Sequence, residues 1–271
     1  MKISAFYKNK VVLITGSSMG IGKELAKQIL TSGGKVVING RDEEKLKATE
    51  KEFEDHTANL LTIAGDITDY NTCELLIQGT IDRFGRLDIL ITNAGLSCFG
   101  DVETMKHQIA RQIIDTNIYG TLFPIMAAIP ELKKTSGSIL LISSIAGLHG
   151  LPGYSAYSLS KMSLTALADS LTIELKSYGI YIGIAYLGFT ENEKTKRTLS
   201  PEGNLEEVPI RAKRFTSTRE VTAEKILRQI SFRKNKSIHS SLGKGTYILN
   251  KYLSPVINIF LTHNYRKSIS S

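Results

Sequence analysis

The chain has 271 residues, 42% hydrophobic and 22% charged, an ordinary globular balance that excludes fibrous and disordered classes. Its 34 basic and 26 acidic residues leave a formal charge of +8, unevenly spread: residues 1–210 sum to −3, and residues 211–271, with 13 basic against 2 acidic side chains, sum to +11. No apolar run reaches the roughly 18 residues needed to cross a bilayer, Met1 to Lys10 lack the apolar core of a secretory signal, and the two cysteines, Cys73 and Cys98, suit a reducing compartment, so a cytoplasmic location is expected.

From residue 11 to about 190, short apolar runs alternate with helix-length segments. The strands expected are Val11–Thr15, Lys35–Asn39, Leu60–Ala64, Leu87–Thr92, Ser138–Ser143 and Ile180–Tyr186. Their apolar stretches are continuous rather than alternating, as in parallel strands covered on both faces. Gly33–Gly34 closes the first helix, Asp42 can cap the second, and Asp69 and Gly85 bracket the third. Longer helical segments follow at 104–133 and 154–178, the latter stopped by Gly179. Such alternation predicts a doubly wound parallel sheet flanked by helices.

The polar stretch Thr190–Thr218, with Pro201, Gly203 and Pro209, breaks this rhythm and has the length of a lid or substrate loop. Ser217-Thr218-Arg219-Glu220 has the form of a capping box opening a helix over Val221–Ile230. The expected division is one catalytic domain over 1–225 and a basic, partly apolar extension over 226–271. In that extension Tyr247, Ile248, Leu249, Tyr252, Leu253, Val256, Ile257, Ile259, Phe260 and Leu261 mix with Lys244, Lys251, Arg266 and Lys267. This composition fits an anionic membrane interface; it equally fits a helix packed on the domain or across a homodimer. No nucleic-acid-binding module is recognisable, so no nucleic-acid partner is expected. The five histidines show no metal-ligand spacing.

Directly after the first strand comes Thr15-Gly16-Ser17-Ser18-Met19-Gly20-Ile21-Gly22. Glycines between a strand and a helix allow a tight turn whose backbone N–H groups can meet a pyrophosphate at the helix N-terminus. At the end of the second strand, Ile38-Asn39-Gly40-Arg41-Asp42 leaves the usual acidic position empty and puts an arginine beside it. An acidic residue there serves the ribose 2′-OH of NAD, and an arginine suits the 2′-phosphate of NADP. NADP(H) is therefore favoured over NAD(H), the alternative being that Asp42 turns inward to serve NAD.

Tyr157 and Lys161 lie four apart, on one face of a helix. An ammonium beside a phenol lowers the phenol pKa and readies it for proton transfer to a carbonyl oxygen. Ser144, at the end of the fifth strand, lies where open α/β sheets bind ligands. Taken alone, a Tyr and a Lys at this spacing are common; the weight comes from the conjunction with the glycine turn and the serine.

On these motifs the sequence resembles the short-chain dehydrogenase/reductase family over about residues 8–190, implying a Rossmann-type fold and hydride transfer between nicotinamide and a carbonyl or secondary alcohol. The resemblance implies that Gly16, Ser18, Gly20, Ile21 and Gly22 bind cofactor. Asp66 and Ile67 would contact the adenine end, and Asn93-Ala94-Gly95 would abut the cofactor. Gly188 and Thr190 follow the sixth strand, Thr190 matching a contact to the carboxamide. Ser144, Tyr157 and Lys161 match the catalytic triad, Tyr157 and Lys161 also touching the cofactor, and Asn117 matches the asparagine of the proton relay. Three departures occur: Thr92 precedes Asn93 where a second asparagine is usual, Leu187 stands for a proline before Gly188, and Met19 replaces an arginine of some NADP-preferring members. The segment around Tyr181–Tyr186 and Ser240-Ser241-Leu242-Gly243 is similar to 3-ketosphinganine reductases and related lipid-ketone reductases, which implies a hydrophobic carbonyl substrate. The family also implies a homodimer or homotetramer. A silent NADP-binding scaffold is the alternative, opposed by the intact Asn117, Ser144, Tyr157 and Lys161.

Overall fold

In the computed structural model, which describes residues 3–193, 197–208, 214, 216–252 and 261–262, the six apolar runs become strands. They are β1 (Val11–Ile14), β2 (Lys35–Gly40), β3 (Leu60–Ala64), β4 (Ile89–Thr92), β5 (Ser138–Ser144) and β6 (Tyr181–Leu187). α1 (Ile3–Tyr7) precedes them, and between them run α2 (Gly20–Thr31), α3 (Glu43–Glu52), α4 (Tyr70–Phe84), α5 (His107–Ile114), α6 (Gly120–Thr135) and α7 (Ser155–Glu174). Short strands β7 (Phe189–Thr190), β8 (Arg197–Leu199), β9 (Leu205–Glu207) and β10 (Thr216–Ser217) lead to α8 (Arg219–Ser231), β11 (Lys236–Ile238) and α9 (Ser241–Tyr252).

The main sheet has seven strands in the order β11-β6-β5-β4-β1-β2-β3, and every pairing in it is parallel. This is the doubly wound, Rossmann-type sheet the sequence predicts. The chain runs outward from β1 to β2 and β3, then returns to place β4 on the other side of β1. At that switch point the chain leaves β1 for a helix on one face of the sheet and β4 for helices on the other, the place where such sheets bind ligands.

The sheet is buried on both sides because its central strands are largely apolar; β1 and β4 have no exposed residue. One core layer joins Val12 and Ile14 to Leu25 and Ile29 of α2 and to Ile226 and Ile230 of α8. The other joins Leu13 and Leu90 to Leu76 of α4, Leu132 of α6 and Leu164 of α7. Caps fix the helix ends as expected. Asp42 accepts from the Lys45 N–H at 3.0 Å and Asp69 from the Asn71 N–H at 3.2 Å, bonds worth about 1 kcal/mol each. Gly85 and Gly179 end their helices in left-handed backbone, at φ +75° and +69°.

Four features differ from expectation. The helix expected at 104–133 is two helices joined by a π-helical turn at Asp115–Tyr119. The loop 190–218 contains a β8–β9 antiparallel hairpin and a parallel β7–β10 pair, and Leu199 of the hairpin bridges Cys98. The cap of α8 is Thr218 rather than Ser217, its hydroxyl accepting from the Val221 N–H at 3.3 Å. Finally, residue 225 lies within α8, and β11 completes the sheet edge beyond it. The expected domain end therefore falls too early: β11 has one apolar side chain in three, and only the open edge of β6 makes it a strand. Of the apolar tail, Leu253, Val256, Ile257, Ile259, Phe260, Arg266 and Lys267 lie outside the described residues, as does the Lys251 side chain. Among the described residues no helix is long and apolar enough to cross a membrane.

Candidate active site

The glycine turn leaves β1 with Gly16 at φ +60° and Gly20 at φ +62°, a conformation that disfavours any side chain. Space is short as well. A Cβ on Gly16 would lie 2.7 Å from the Ala94 Cα, and one on Gly22 would lie 2.6 Å from both Asn93 Nδ2 and the Gly16 carbonyl. The two loops of the switch point are stitched together here. Asn93 Nδ2 donates to the carbonyls of Thr15 at 3.0 Å and Gly16 at 2.8 Å. The Thr15 hydroxyl accepts from the backbone N–H groups of Asn93 at 3.1 Å and Ala94 at 3.2 Å. Thr15 is thus a supporting residue that the motif reading did not single out.

The turn holds an anion: the Gly20 N–H donates to Glu193 Oε1 at 2.8 Å. Arg219 Nη1 donates to the same oxygen at 2.6 Å, and Lys23 Nζ lies 3.7 Å away. A backbone N–H at the start of α2, flanked by two cations, fits the pyrophosphate of a dinucleotide.

At the end of β2, Gly40 leaves room that Ser18 fills; a Cβ there would come within 2.9 Å of the Ser18 hydroxyl oxygen. Arg41 is exposed and its Nη1 reaches Asp66 Oδ2 at 3.5 Å. Asp66 Oδ1 in turn accepts from the Thr68 N–H and hydroxyl, both at 2.9 Å. Partial burial works to raise the Asp66 carboxyl, but the Thr68 hydrogen bonds and the Arg41 charge outweigh it and hold it below its ordinary value. Asp42 lines the same cleft while capping α3 and pairing with Lys45 at 2.7 Å.

Ser144 ends β5, with its hydroxyl accepting from the Ala146 N–H at 3.2 Å and hydrogen-bonded to Tyr157. Tyr157 is partly exposed as a residue, but its hydroxyl end is enclosed; burial pushes that hydroxyl above its ordinary pKa, and the Ser144 hydrogen bond only partly opposes this. The lowering expected from Lys161 does not prevail in this arrangement. The buried Lys161 Nζ donates to the Ile142 carbonyl at 3.1 Å and stands 6.0 Å from the Tyr157 ring centroid.

Asn117 lies on the π-helical turn, fully buried. Its Oδ1 accepts from the Leu96 N–H at 2.7 Å, while Nδ2 donates to the Leu96 carbonyl at 2.9 Å and the Ser160 hydroxyl at 2.8 Å. Gly95 makes this junction possible: a Cβ there would stand 3.2 Å from Lys161 Nζ and 3.3 Å from Asn117 Oδ1.

A cleft of about 790 Å³ runs along these loops, lined by every expected site residue except Gly22 and Asn117, which sit behind its wall. Gly188 lines it too and packs closely on Ser240, while the Thr190 hydroxyl bonds that of Thr222 at 3.2 Å. Beyond Ser144, Tyr157 and Lys161 the cleft acquires an apolar wall of Phe99, Leu151, Pro152, Tyr154, Val208 and Leu261, none of which carries a motif. Phe99 and Tyr154 rings pack at 5.0 Å, over Gly153 at φ +74°, where a Cβ would meet the Phe99 ring at 2.6 Å. That glycine was the one sequence signal available for this wall.

Residues 10–203 match the short chain dehydrogenase family. The chain belongs to this family. It is 32% identical over 265 residues to a 3-dehydrosphinganine reductase of Danio rerio, covering 92% of this chain and 76% of that protein. Two solved structures share the fold. One is a short chain dehydrogenase/reductase from Burkholderia phymatum in complex with NAD, with TM-score 0.79 and 19% identity, covering 90% of this chain and 94% of the other. The other is an alcohol dehydrogenase from Thermococcus sibiricus complexed with 5-hydroxy-NADP, with TM-score 0.74 and 21% identity, covering 87% and 98%. The protein is thus a short-chain oxidoreductase.

Proposed function

We propose that this oxidoreductase uses NADP(H) to reduce a long-chain lipid ketone, such as a 3-keto-sphingoid base or a 3-oxoacyl compound. The observation that carries the reading is the meeting of Ser144, Tyr157 and Lys161 in one cleft with an apolar wall extending beyond them. The name of the Danio rerio relative supports the same substrate class. Gly40 and Arg41 support NADP(H): the acidic partner of a ribose 2′-OH is missing, and a guanidinium stands beside the gap.

A bound nicotinamide supplies the hydride delivered to the carbonyl carbon. The Tyr157 hydroxyl gives its proton to the carbonyl oxygen, and Ser144 donates a hydrogen bond that polarises the same oxygen. The Lys161 ammonium binds the nicotinamide ribose and, turned from Ile142 toward Tyr157, stabilises the phenolate left behind. Asn117 holds the Leu96 segment in register and links the relay toward solvent. The apolar wall excludes water from the reacting carbonyl.

The described end of the chain supports peripheral attachment to a membrane from the cytoplasmic side. Tyr247, Ile248, Leu249 and Tyr252 of α9 are exposed next to Lys244, an arrangement suited to an anionic interface. The helix is docked beside the active site, with Asn250 Nδ2 donating to the Leu148 carbonyl at 2.9 Å and its Oδ1 bonded to His149 Nδ1 at 2.9 Å. Exposed Met126 of α6, with Leu159 and Met162 of α7, suits contact with a second copy in a homodimer or homotetramer.

An NADPH-consumption screen across 3-oxoacyl, sphingoid, steroid and small aliphatic ketones tests the substrate reading. Turnover should concentrate on long-chain ketones; equal preference for small aliphatic ketones overturns it. Liposome flotation with Ile248→Glu/Tyr252→Glu protein tests the attachment, which fails if the double variant floats as well as the parent.

A further inference from the structure

The substrate loop places a carboxylate on the seat that the glycine turn offers to phosphate. Glu193 follows β7, three residues after Thr190, and its side chain is only 18% exposed. One oxygen, Oε1, takes the Gly20 N–H at 2.8 Å, Arg219 Nη1 at 2.6 Å and the vicinity of Lys23 Nζ at 3.7 Å. Lys23 also holds Glu52 at 3.1 Å. These groups come from three separate parts of the chain: the start of α2, the loop beyond β7 and the first turn of α8. A carboxylate so enclosed is the chain's own counter-ion for the N-terminus of α2.

A pyrophosphate brought to the same N–H would meet this carboxylate as a like charge at hydrogen-bond distance, and the two cannot share one donor. We propose that Glu193 is an internal competitor of the cofactor, a latch that binds the substrate loop to the phosphate turn and is displaced by the dinucleotide pyrophosphate. The inference rests on the dinucleotide-binding reading above and extends it. Displacement leaves Arg219 and Lys23 to face the incoming phosphates, so both become phosphate partners outside the glycine motif. It also frees the loop where it departs from the β7–β10 pair, joined by Phe189–Thr216 and Thr190–Ser217 registers. Cofactor affinity and loop position are then linked reciprocally: what loosens the latch tightens the cofactor.

The test is made on the full-length protein with Glu193→Gln and Glu193→Ala. NADPH binding is followed by nucleotide fluorescence, and ADP-ribose binding by calorimetry, since ADP-ribose has the pyrophosphate without the nicotinamide. Loss of one charge-assisted contact predicts binding of both ligands tighter by on the order of 5- to 30-fold. Thermal unfolding supplies the reciprocal reading: without ligand the variants melt below the parent, and at saturating NADPH the difference closes. Unchanged or weakened ADP-ribose affinity in both variants, with folding intact by circular dichroism, overturns the latch. If the parent itself binds neither NADPH, NADH nor ADP-ribose, the dinucleotide reading fails first and the latch with it.

Discussion

The side-chain amide of Asn117 closes a two-way hydrogen-bonded pair with the backbone of Leu96, accepting from its N–H at 2.7 Å and donating to its carbonyl at 2.9 Å. This fastens the segment after β4, which carries Asn93-Ala94-Gly95, onto the π-helical turn 21 residues further along the chain. Asn117→Leu would strand the Leu96 N–H and carbonyl, at a cost of roughly 1–3 kcal/mol for a buried group left unpaired, while the Ser160 hydroxyl keeps its bond to the Tyr157 carbonyl. Guanidinium unfolding should show that loss, and NADPH should bind more weakly because the loop proposed to abut it is no longer held. An unfolding midpoint equal to that of the parent would show that the pair contributes nothing.

Tyr157→Phe removes the hydroxyl proposed to protonate the carbonyl oxygen while keeping the ring that packs on Tyr154 at 6.2 Å. Turnover should fall by roughly 10²–10⁴, the usual worth of a positioned acid. The dissociation constant for NADPH, read by fluorescence titration, should stay within about twofold. Surviving turnover would remove Tyr157 from the chemistry altogether.

The glycine turn, the strand-end serine and the Tyr–Lys pair were legible because each depends on short-range spacing: a turn of fixed length, or one helical turn between side chains. Six strands were legible because continuous apolar runs mark strands buried on both faces. What escaped depends on distant partners. β11 is a strand only because β6 offers an edge. The apolar wall is assembled from residues as far apart as Phe99, Val208 and Leu261. Likewise, nothing local to Glu193 indicates that it reaches Gly20, 173 residues earlier. The direction of the Tyr157 shift went the same way: the sequence names a neighbouring lysine but not the burial that raises the hydroxyl.

Arg41 provides a separate test of cofactor choice. Its pairing with Asp66 at 3.5 Å is between two exposed side chains, so it should add little stability, about 0–1 kcal/mol. Arg41→Ala should therefore leave the melting temperature nearly unchanged. Loss of a charge-assisted contact to a 2′-phosphate should weaken NADPH by about tenfold or more, with NADH binding hardly altered. Titration of both cofactors decides it, since an equal loss for the two would assign Arg41 to general electrostatics instead of 2′-phosphate reading.

His239 links the sheet edge to pH. It follows β11, and its N–H donates to the Tyr186 carbonyl at 3.1 Å. The Gln229 amide spends its N–H groups on the carbonyls of Ile184 at 3.0 Å and Lys234 at 2.9 Å. Gln229 Oε1 must therefore accept from His239 Nε2, 3.2 Å away, which leaves Nδ1 as the bare ring nitrogen, buried and without a hydrogen-bond partner among the described residues. Burial, aided by the charges of Lys225 and Lys244, lowers its pKa from 6.5 to about 4. A base whose folded pKa lies below its unfolded value favours folding when neutral. Its contribution is complete above about pH 6.5 and is lost progressively as pH falls toward 4, by at most about 3 kcal/mol. Melting temperatures recorded between pH 7.5 and 4 should fall across that window in the parent. His239→Gln, which can keep the bond to Gln229 and has no proton to gain, should flatten the fall; parallel curves for the two proteins would rule out His239 as its source.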